Sequence, residues 1–316
     1  MRTRLLNLLL SVLTGSAVLA PGAPAAEPRL LLDANFPDPD VNRFGSHYYG
    51  YATGTRDTRA PVATAPSPAG PWRARGDALP ERPAWMARKS GIWAPDVVRR
   101  ADGDYLMYFS GARGADGTMC IGAAVAGSPL GPFRPVGRKP VVCDPRDDGN
   151  IDPAAFTTAD GRRFLLYKAN GHEGEPAILY LQRVGPGGIR PVGDRVELLR
   201  ADHPDEHGIV EAPTLVRLPS RYVLFYSADH FTSPGYRTTY ATAPALTGPY
   251  TKSGAPFISR RVLGANVDGP GSADVLPGPG GTHAFFHAWR GPDRGYRALY
   301  TVEMHFDNGR PVLGGS

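Results

Sequence analysis

Three acidic residues sit within two positions of prolines in a pattern that recurs along the chain, and together they could hydrolyse an acetal. Asn35-Phe36-Pro37-Asp38-Pro39-Asp40-Val41 sets Asp38 between two prolines. The pattern returns at Trp93-Ala94-Pro95-Asp96-Val97, Ile151-Asp152-Pro153-Ala154-Ala155 and Glu211-Ala212-Pro213-Thr214-Leu215, with a worn copy at Ser272-Ala273-Asp274-Val275. Proline fixes its own φ and pushes the preceding residue to extended backbone, so Asp38 is expected to stand rigidly at the mouth of a strand. A lone Asp-Pro is only a turn signal; recurrence is what gives Asp38, Asp152 and Glu211 meaning. Two carboxyls flanking a glycosidic bond divide the work: one, ionised, activates water, and the other gives a proton to the leaving oxygen. A third carboxylate nearby raises the proton affinity of the acid.

The elements that must bring these residues together follow from the spacing. With Pro39, Pro95, Pro153, Pro213 and Ala273 as anchors, the intervals are 56, 58, 60 and 60 residues, an internal repeat that sets the architecture. Each unit reads as four short strands separated by Gly, Asp-Gly and Pro-Gly turns. Strands are expected at 41–43, 48–53, 62–65 and 72–75 in the first unit, and at 97–100, 105–110, 120–126 and 133–136 in the second. The third has 155–157, 164–168, 178–183 and 189–192; the fourth 214–218, 222–227, 239–242 and 250–252; the fifth 274–276, 283–288, 298–303 and a weak strand at 311–313. Residues 30–32 are placed to add a strand to the last unit. No long helical periodicity appears. The expected fold is all-β, a five-bladed β-propeller of four antiparallel strands per blade, over residues 27–316. The innermost strand of each blade would line a central channel, so Asp38, Asp152 and Glu211 would meet at one end of it.

The remaining features bound the function. Arg2 and Arg4 precede an apolar run at 5–19, and Ala23-Pro24-Ala25 offers a cleavage site, so residues 1–26 read as a secretory signal peptide and the product as secreted. No other segment reads as a membrane span. The formal charge of +5 is scattered without basic runs, which disfavours nucleic acid as a partner. Cys120 and Cys143 both lie in the second unit and suit a local disulfide in an oxidising compartment, with two free thiols as the alternative. Gly-rich phosphate loops and zinc-spaced His/Cys clusters are not found.

Taken together the motifs resemble glycoside hydrolase family 43, inverting enzymes on a five-bladed propeller. Phe36-Pro37-Asp38-Pro39-Asp40 is similar to that family's general-base motif, Ile151-Asp152-Pro153 to its second motif, and Val210-Glu211-Ala212-Pro213 to its acid motif. The resemblance implies Asp38 as general base, Asp152 as pKa modulator and Glu211 as general acid. It also implies substrate contacts from Trp93, as a stacking wall, and from Phe36, Arg290 and His287. The stretch Phe286-His287-Ala288-Trp289 resembles the family's His-containing strand, so His287 is a candidate ligand for calcium or another cation in the channel, although no cofactor is required. His203, His207 and His230 lie in loops flanking the fourth inner strand. Leu165-Leu166-Tyr167-Lys168-Ala169-Asn170-Gly171 and Tyr226-Ser227-Ala228-Asp229-His230-Phe231 resemble the arabinofuranosidase branch. The expectation is a secreted monomer acting on plant cell-wall polysaccharide or oligosaccharide and releasing terminal α-L-arabinofuranosyl units. β-Xylosidase or endo-arabinanase action on the same scaffold is the alternative, and a non-catalytic carbohydrate-binding propeller is the alternative of another class.

Overall fold

The computed structural model describes residues 27–172, 174–278 and 281–315; the leader-like segment lies outside them. Five antiparallel sheets form the blades of a propeller. Blade I comprises Asp40–Phe44, His47–Tyr51, Pro61–Ala65 and Arg73–Asp77, and blade II Trp93–Arg99, Tyr105–Ala112, Met119–Ala126 and Arg134–Pro135. Blade III comprises Asn150–Thr157, Arg163–Ala169, Ile178–Val184 and Val196–Arg200, and blade IV Val210–Arg217, Tyr222–Ala228, Arg237–Ala243 and Thr251–Lys252. Blade V has Asp268–Gly278, Gly281–Arg290 and Tyr296–Asp307, and its third strand is flanked by both Arg310–Leu313 and the N-terminal Arg29–Leu32. The ring is therefore closed by the start of the chain joining the end, as residues 30–32 suggested.

The second strand of each blade explains why the sheets stack. Their sequences are apolar on both faces, as in Tyr105-Leu106-Met107-Tyr108-Phe109 and Tyr222-Val223-Leu224-Phe225-Tyr226, because both faces of a blade pack on neighbours. Burial follows that logic: five apolar clusters occupy the five gaps between adjacent blades. Phe109 and Phe133 fill I–II, Tyr108 and Leu165 fill II–III, Leu166 and Tyr226 fill III–IV, Phe225 and Phe286 fill IV–V, and Trp72 and Phe285 fill V–I.

One strand differs from expectation. The outer strand of blade III is Val196–Arg200, not 189–192. Ile189 and Val192 are exposed, and only Pro191 forms an isolated bridge, to Val184. Pro191 has no N–H to give a ladder, whereas Leu198 and Leu199 supply apolar surface that the blade buries. Cys120 and Cys143 are bonded within blade II.

Candidate active site

Each inner strand starts with the same local distortion, and that distortion aims the acids. Asp38, Ala94, Asp152, Ala212 and Ser272 all have left-handed backbone, with φ of 52, 41, 54, 49 and 50°. In blades II to V this residue falls in a break of register, a β-bulge that re-aims side chains. For non-glycine residues such a conformation costs on the order of 1–3 kcal/mol and persists where surrounding bonds hold it. Those bonds are visible. The N–H of Asp38 donates to His287 Nδ1 at 3.0 Å, that of Ala94 to Thr53 Oγ1 at 2.8 Å, that of Asp152 to Ser110 Oγ at 3.0 Å and that of Ser272 to Ser227 Oγ at 2.8 Å. The acceptor is always the polar residue closing the second strand of the preceding blade. In blade III that residue is Lys168, which cannot accept, and the N–H of Ala212 turns instead to Asp152 Oδ2 at 3.0 Å. Lys168 is left to ion-pair with Glu211.

The register places the acids in two sets. Asp38 and Asp152 occupy the distorted position itself, whereas Glu211 comes one residue earlier, the position of Trp93 in blade II and Ile151 in blade III. All three acids, with Trp93, line one pocket of about 390 Å³, which Thr53, Lys168, Asn170, His230, Phe231, Ser272 and Arg297 complete.

Asp38 is enclosed by donors. Its Oδ1 accepts from Arg297 Nη1 at 3.0 Å and from Ser272 Oγ at 3.1 Å, and its Oδ2 from Thr53 Oγ1 at 2.6 Å. Burial alone would raise its pKa, but the Arg297 guanidinium first, then the two hydroxyls, outweigh that and hold it below the usual carboxylate range. His287 is buried, and its burial, then Arg297, lower its pKa to about 3, so it stands neutral with Nδ1 accepting from the Asp38 N–H. Glu211 accepts from Lys168 Nζ at 2.9 Å on Oε2 and from the Tyr236 hydroxyl at 2.9 Å on Oε1. Burial first, then the Glu211 charge, pushes Asp152 up to about 7 against the lowering effect of Lys168. Lys168 is itself held above its ordinary value: Glu211 and Asp152 outweigh its burial.

The base-to-acid span is bounded by contacts. From Asp38 Oδ1, Ser272 Oγ lies at 3.1 Å; from there the Tyr236 hydroxyl lies at 3.3 Å; and from that Glu211 Oε1 lies at 2.9 Å. These three links cannot reach past the roughly 9.5 Å at which an inverting pair of carboxyls stops.

The structure moves three of the expected substrate contacts elsewhere. Phe36 is buried in the V–I core with Trp72, whereas Asp38, turned by its left-handed backbone, faces the pocket. Arg290 binds Asp33 with Nε at 2.7 Å and Nη2 at 3.2 Å, outside the pocket, where it secures the N-terminal closing segment. The arginine that does face the acids is Arg297, paired with Trp289 across the sheet. His287 sits behind Asp38 and stacks on Tyr236 at 5.9 Å rather than lining the pocket. Nor does it fit a cation: Nδ1 is occupied by the Asp38 N–H, and Nε2 lies 3.5 Å from the Arg297 guanidinium, a positive charge where a metal would have to bind. Among the described residues no group of three or more His, Cys, Asp or Glu side chains is arranged to hold a metal ion. Of the loop histidines, His230 reaches the pocket, its ring tilted against Phe231 at 4.9 Å.

Lys168, Tyr236, Arg297, Thr53 and Ser272 were not singled out from sequence as site residues. A signal existed for some of them. Each second strand ends its apolar run on one polar side chain: Thr53, Ser110, Lys168, Ser227 and His287.

Such a ring, with acids from separate blades facing one pocket, defines a propeller of the glycoside hydrolase class. The model of glycosyl hydrolases family 43 matches residues 30–309, and the chain belongs to that family. Among curated proteins it is similar to the extracellular endo-α-(1→5)-L-arabinanase 1 of Bacillus subtilis, 25% identical over 289 residues that span 87% of this chain and 86% of the relative. It is also similar to the β-D-galactofuranosidase xynD of Aspergillus niger, 27% identical over 54% of this chain and 48% of the relative. Among solved structures it superposes on a thermostable family-43 glycoside hydrolase with a TM-score of 0.79 at 28% identity, covering 89% of this chain and 93% of that one.

Proposed function

We propose that this protein hydrolyses α-L-arabinofuranosyl linkages of arabinan by inverting acid/base catalysis, with Asp38 as general base, Glu211 as general acid and Asp152 as its modulator. The observation that supports this reading above others is the meeting of the three acids in one pocket with opposite settings. Asp38 is kept ionised by Arg297, as a base must be, while Asp152 at about 7 retains a proton that it shares electrostatically with Glu211. Water enters between Asp38 and the anomeric carbon, Asp38 takes its proton, and Glu211 protonates the departing sugar oxygen. Glu211 is held in place by Lys168 Nζ on Oε2 and by the Tyr236 hydroxyl on Oε1, so its carboxyl is fixed beside Asp152. Trp93, with almost half its surface exposed, offers a flat apolar face to a sugar ring.

The relative named above as an endo-arabinanase favours cleavage of internal α-1,5 bonds over the terminal release anticipated from sequence. The leader-like segment at 1–26 and the extracellular naming of that relative support export. Linear arabinan digested with the purified protein tests the reading. A ladder of oligosaccharides appearing before arabinose supports internal cleavage, arabinose alone from the start supports terminal release, and no product at all overturns the assignment. The product anomer, followed by NMR, should be opposite to that of the bond broken.

A further inference from the structure

The two inner strands that carry Asp152 and Glu211 are approached in a way that, among the described residues, the other three are not. Each follows a single 3-10 turn opening on proline, Pro145–Asp147 before blade III and Pro204–Glu206 before blade IV. Each turn closes on a buried carboxylate, Asp147 or Glu206, and passes through a left-handed residue, Asp148 or His207, to a glycine. Each carboxylate is clamped by a cation from the outer edge of its own blade. The Arg195 guanidinium grips Asp147 with both terminal nitrogens, Nη2 at 2.9 Å from Oδ1, and Lys252 Nζ lies 2.8 and 2.7 Å from the two oxygens of Glu206. A second-strand tyrosine joins each clamp: Tyr226 donates to Glu206 Oε1 at 3.2 Å, and Tyr167 bonds Arg195.

Both clamps connect to the acids within two residues. Asn150, fully buried, donates from Nδ2 to Asp147 Oδ2 at 2.7 Å and accepts on its own Oδ1 from the Asp144 N–H at 2.7 Å; Asp152 follows two residues on. The Ile209 N–H donates to the Glu206 carbonyl at 2.9 Å, and Glu211 follows two residues on. The device is built twice with different chemistry, Arg with Asp and Lys with Glu, so it is set by position in the blade rather than by a chance contact.

We infer that Arg195–Asp147 and Lys252–Glu206 are positioning pairs that fix, respectively, the modulator Asp152 and the acid Glu211 for the proton-donation step. This rests on the acid/base reading above. A buried ion pair that loses one partner leaves an uncompensated charge, so an intact pair tolerates little displacement and makes a stiff strut. Stiffness matters at this point in the chain, because a catalytic group misplaced by about 1 Å can cost on the order of 10²-fold in rate.

The test exploits the leaving group, since a mere loss of stability slows every substrate alike. The charge-neutral double variants Glu206→Gln/Lys252→Met and Asp147→Asn/Arg195→Met are assayed on an arabino-oligosaccharide, whose sugar leaving group needs a proton, and on the matching dinitrophenyl arabinoside, whose leaving group does not. Melting curves confirm folding at the assay temperature. The expected result is a kcat loss of about 10–100-fold on the oligosaccharide with KM little changed, and a loss under about 3-fold on the dinitrophenyl substrate. Equal losses on both, or no loss on either, overturn the inference and leave the pairs as supports of the fold. Should the doubles not fold, Tyr226→Phe, which removes one bond to Glu206, should give the same one-sided pattern at roughly 3-fold; equal rates on both substrates would again overturn it. A wild-type protein that cleaves neither substrate overturns the hydrolase reading and this inference with it.

Discussion

The mouth of the channel and the layer beneath it are built from the same five strands, yet they treat their carboxylates in opposite ways. At the mouth, Asp38 faces Arg297 and Glu211 faces Lys168. Two residues deeper, Asp40, Asp96 and Asp274 line a narrow space of about 50 Å³ and face backbone instead. The Val97 N–H donates to Asp40, the Ala155 N–H to Asp96 and the Val41 N–H to Asp274, at 2.8, 3.1 and 2.8 Å. Each bond links one blade to the next, so these acids staple V to I, I to II and II to III. Without a cation, burial and then their mutual repulsion push Asp40 and Asp96 well above the usual range, while burial takes Asp274 up to about 6. The scaffold supplies acids to both layers; cations stand beside those at the mouth, and Arg297 holds Asp38 ionised. An acid facing the pocket can do proton chemistry, and a protonated one below is a hydrogen-bonding post.

Removing a function from the mouth should have the largest effect. Glu211→Gln keeps shape and bonds to Tyr236, so kcat on arabinan should fall about 10²–10⁴-fold in steady-state assays while the melting temperature changes little. Truncation in the deeper layer should do the reverse. Asp40→Ala strands the Val97 N–H and leaves the Asn42 amide only its bond to the Val97 carbonyl, and denaturant titration should show a loss of about 1–3 kcal/mol with kcat/KM in the surviving folded protein nearly unchanged. Trp93→Ala lies between: loss of a stacking face worth about 1 kcal/mol should raise KM some 5-fold and leave kcat nearly as it was.

The smallest effects are in pH. Asp152 at about 7 places the alkaline limb of the kcat/KM profile near neutrality, because the last proton of the Asp152–Glu211 pair leaves there. Asp38, held low, keeps the acid limb well below that. In the deeper layer the sign for stability is the reverse of the usual salt-bridged carboxylate. Asp274 has a raised folded-state pKa, so the unfolded chain releases its proton first, and stability should decline as pH rises from about 4 to about 6. Asp274→Asn should flatten that decline in melting temperatures measured across the window.

The same contrast shows what was readable from sequence. Asp38, Asp152 and Glu211 were legible because proline marks the start of four of the five inner strands, and the 56- to 60-residue spacing then assigns them to one end of a ring. Asp40 and Asp96 also touch those prolines, but nothing local distinguishes an acid aimed at a pocket from one aimed down a channel. That depends on the left-handed residue between them, which the sequence does not announce for Ala94 or Ser272. Arg290 and Arg297 are seven residues apart on neighbouring strands, and only the pairing of Trp289 with Arg297 tells which one looks inward. Phe36 illustrates the same limit: a residue two positions from an acid shares a motif with it without sharing its environment. The outer strand of blade III falls at 196–200 rather than 189–192 because both stretches carry apolar residues, and only packing shows that Leu198 and Leu199 are buried while Ile189 and Val192 are exposed.

Removing charge without changing shape tests the division between the layers most directly. Asp38→Asn and Asp96→Asn, purified side by side, are compared for kcat on linear arabinan and for denaturation midpoint. The account predicts that Asp38→Asn loses about 10²-fold or more while Asp96→Asn stays within about 3-fold of wild type and gains stability above neutral pH. An Asp96→Asn protein that is folded but as inactive as Asp38→Asn, or an Asp38→Asn protein that keeps its rate, would contradict it.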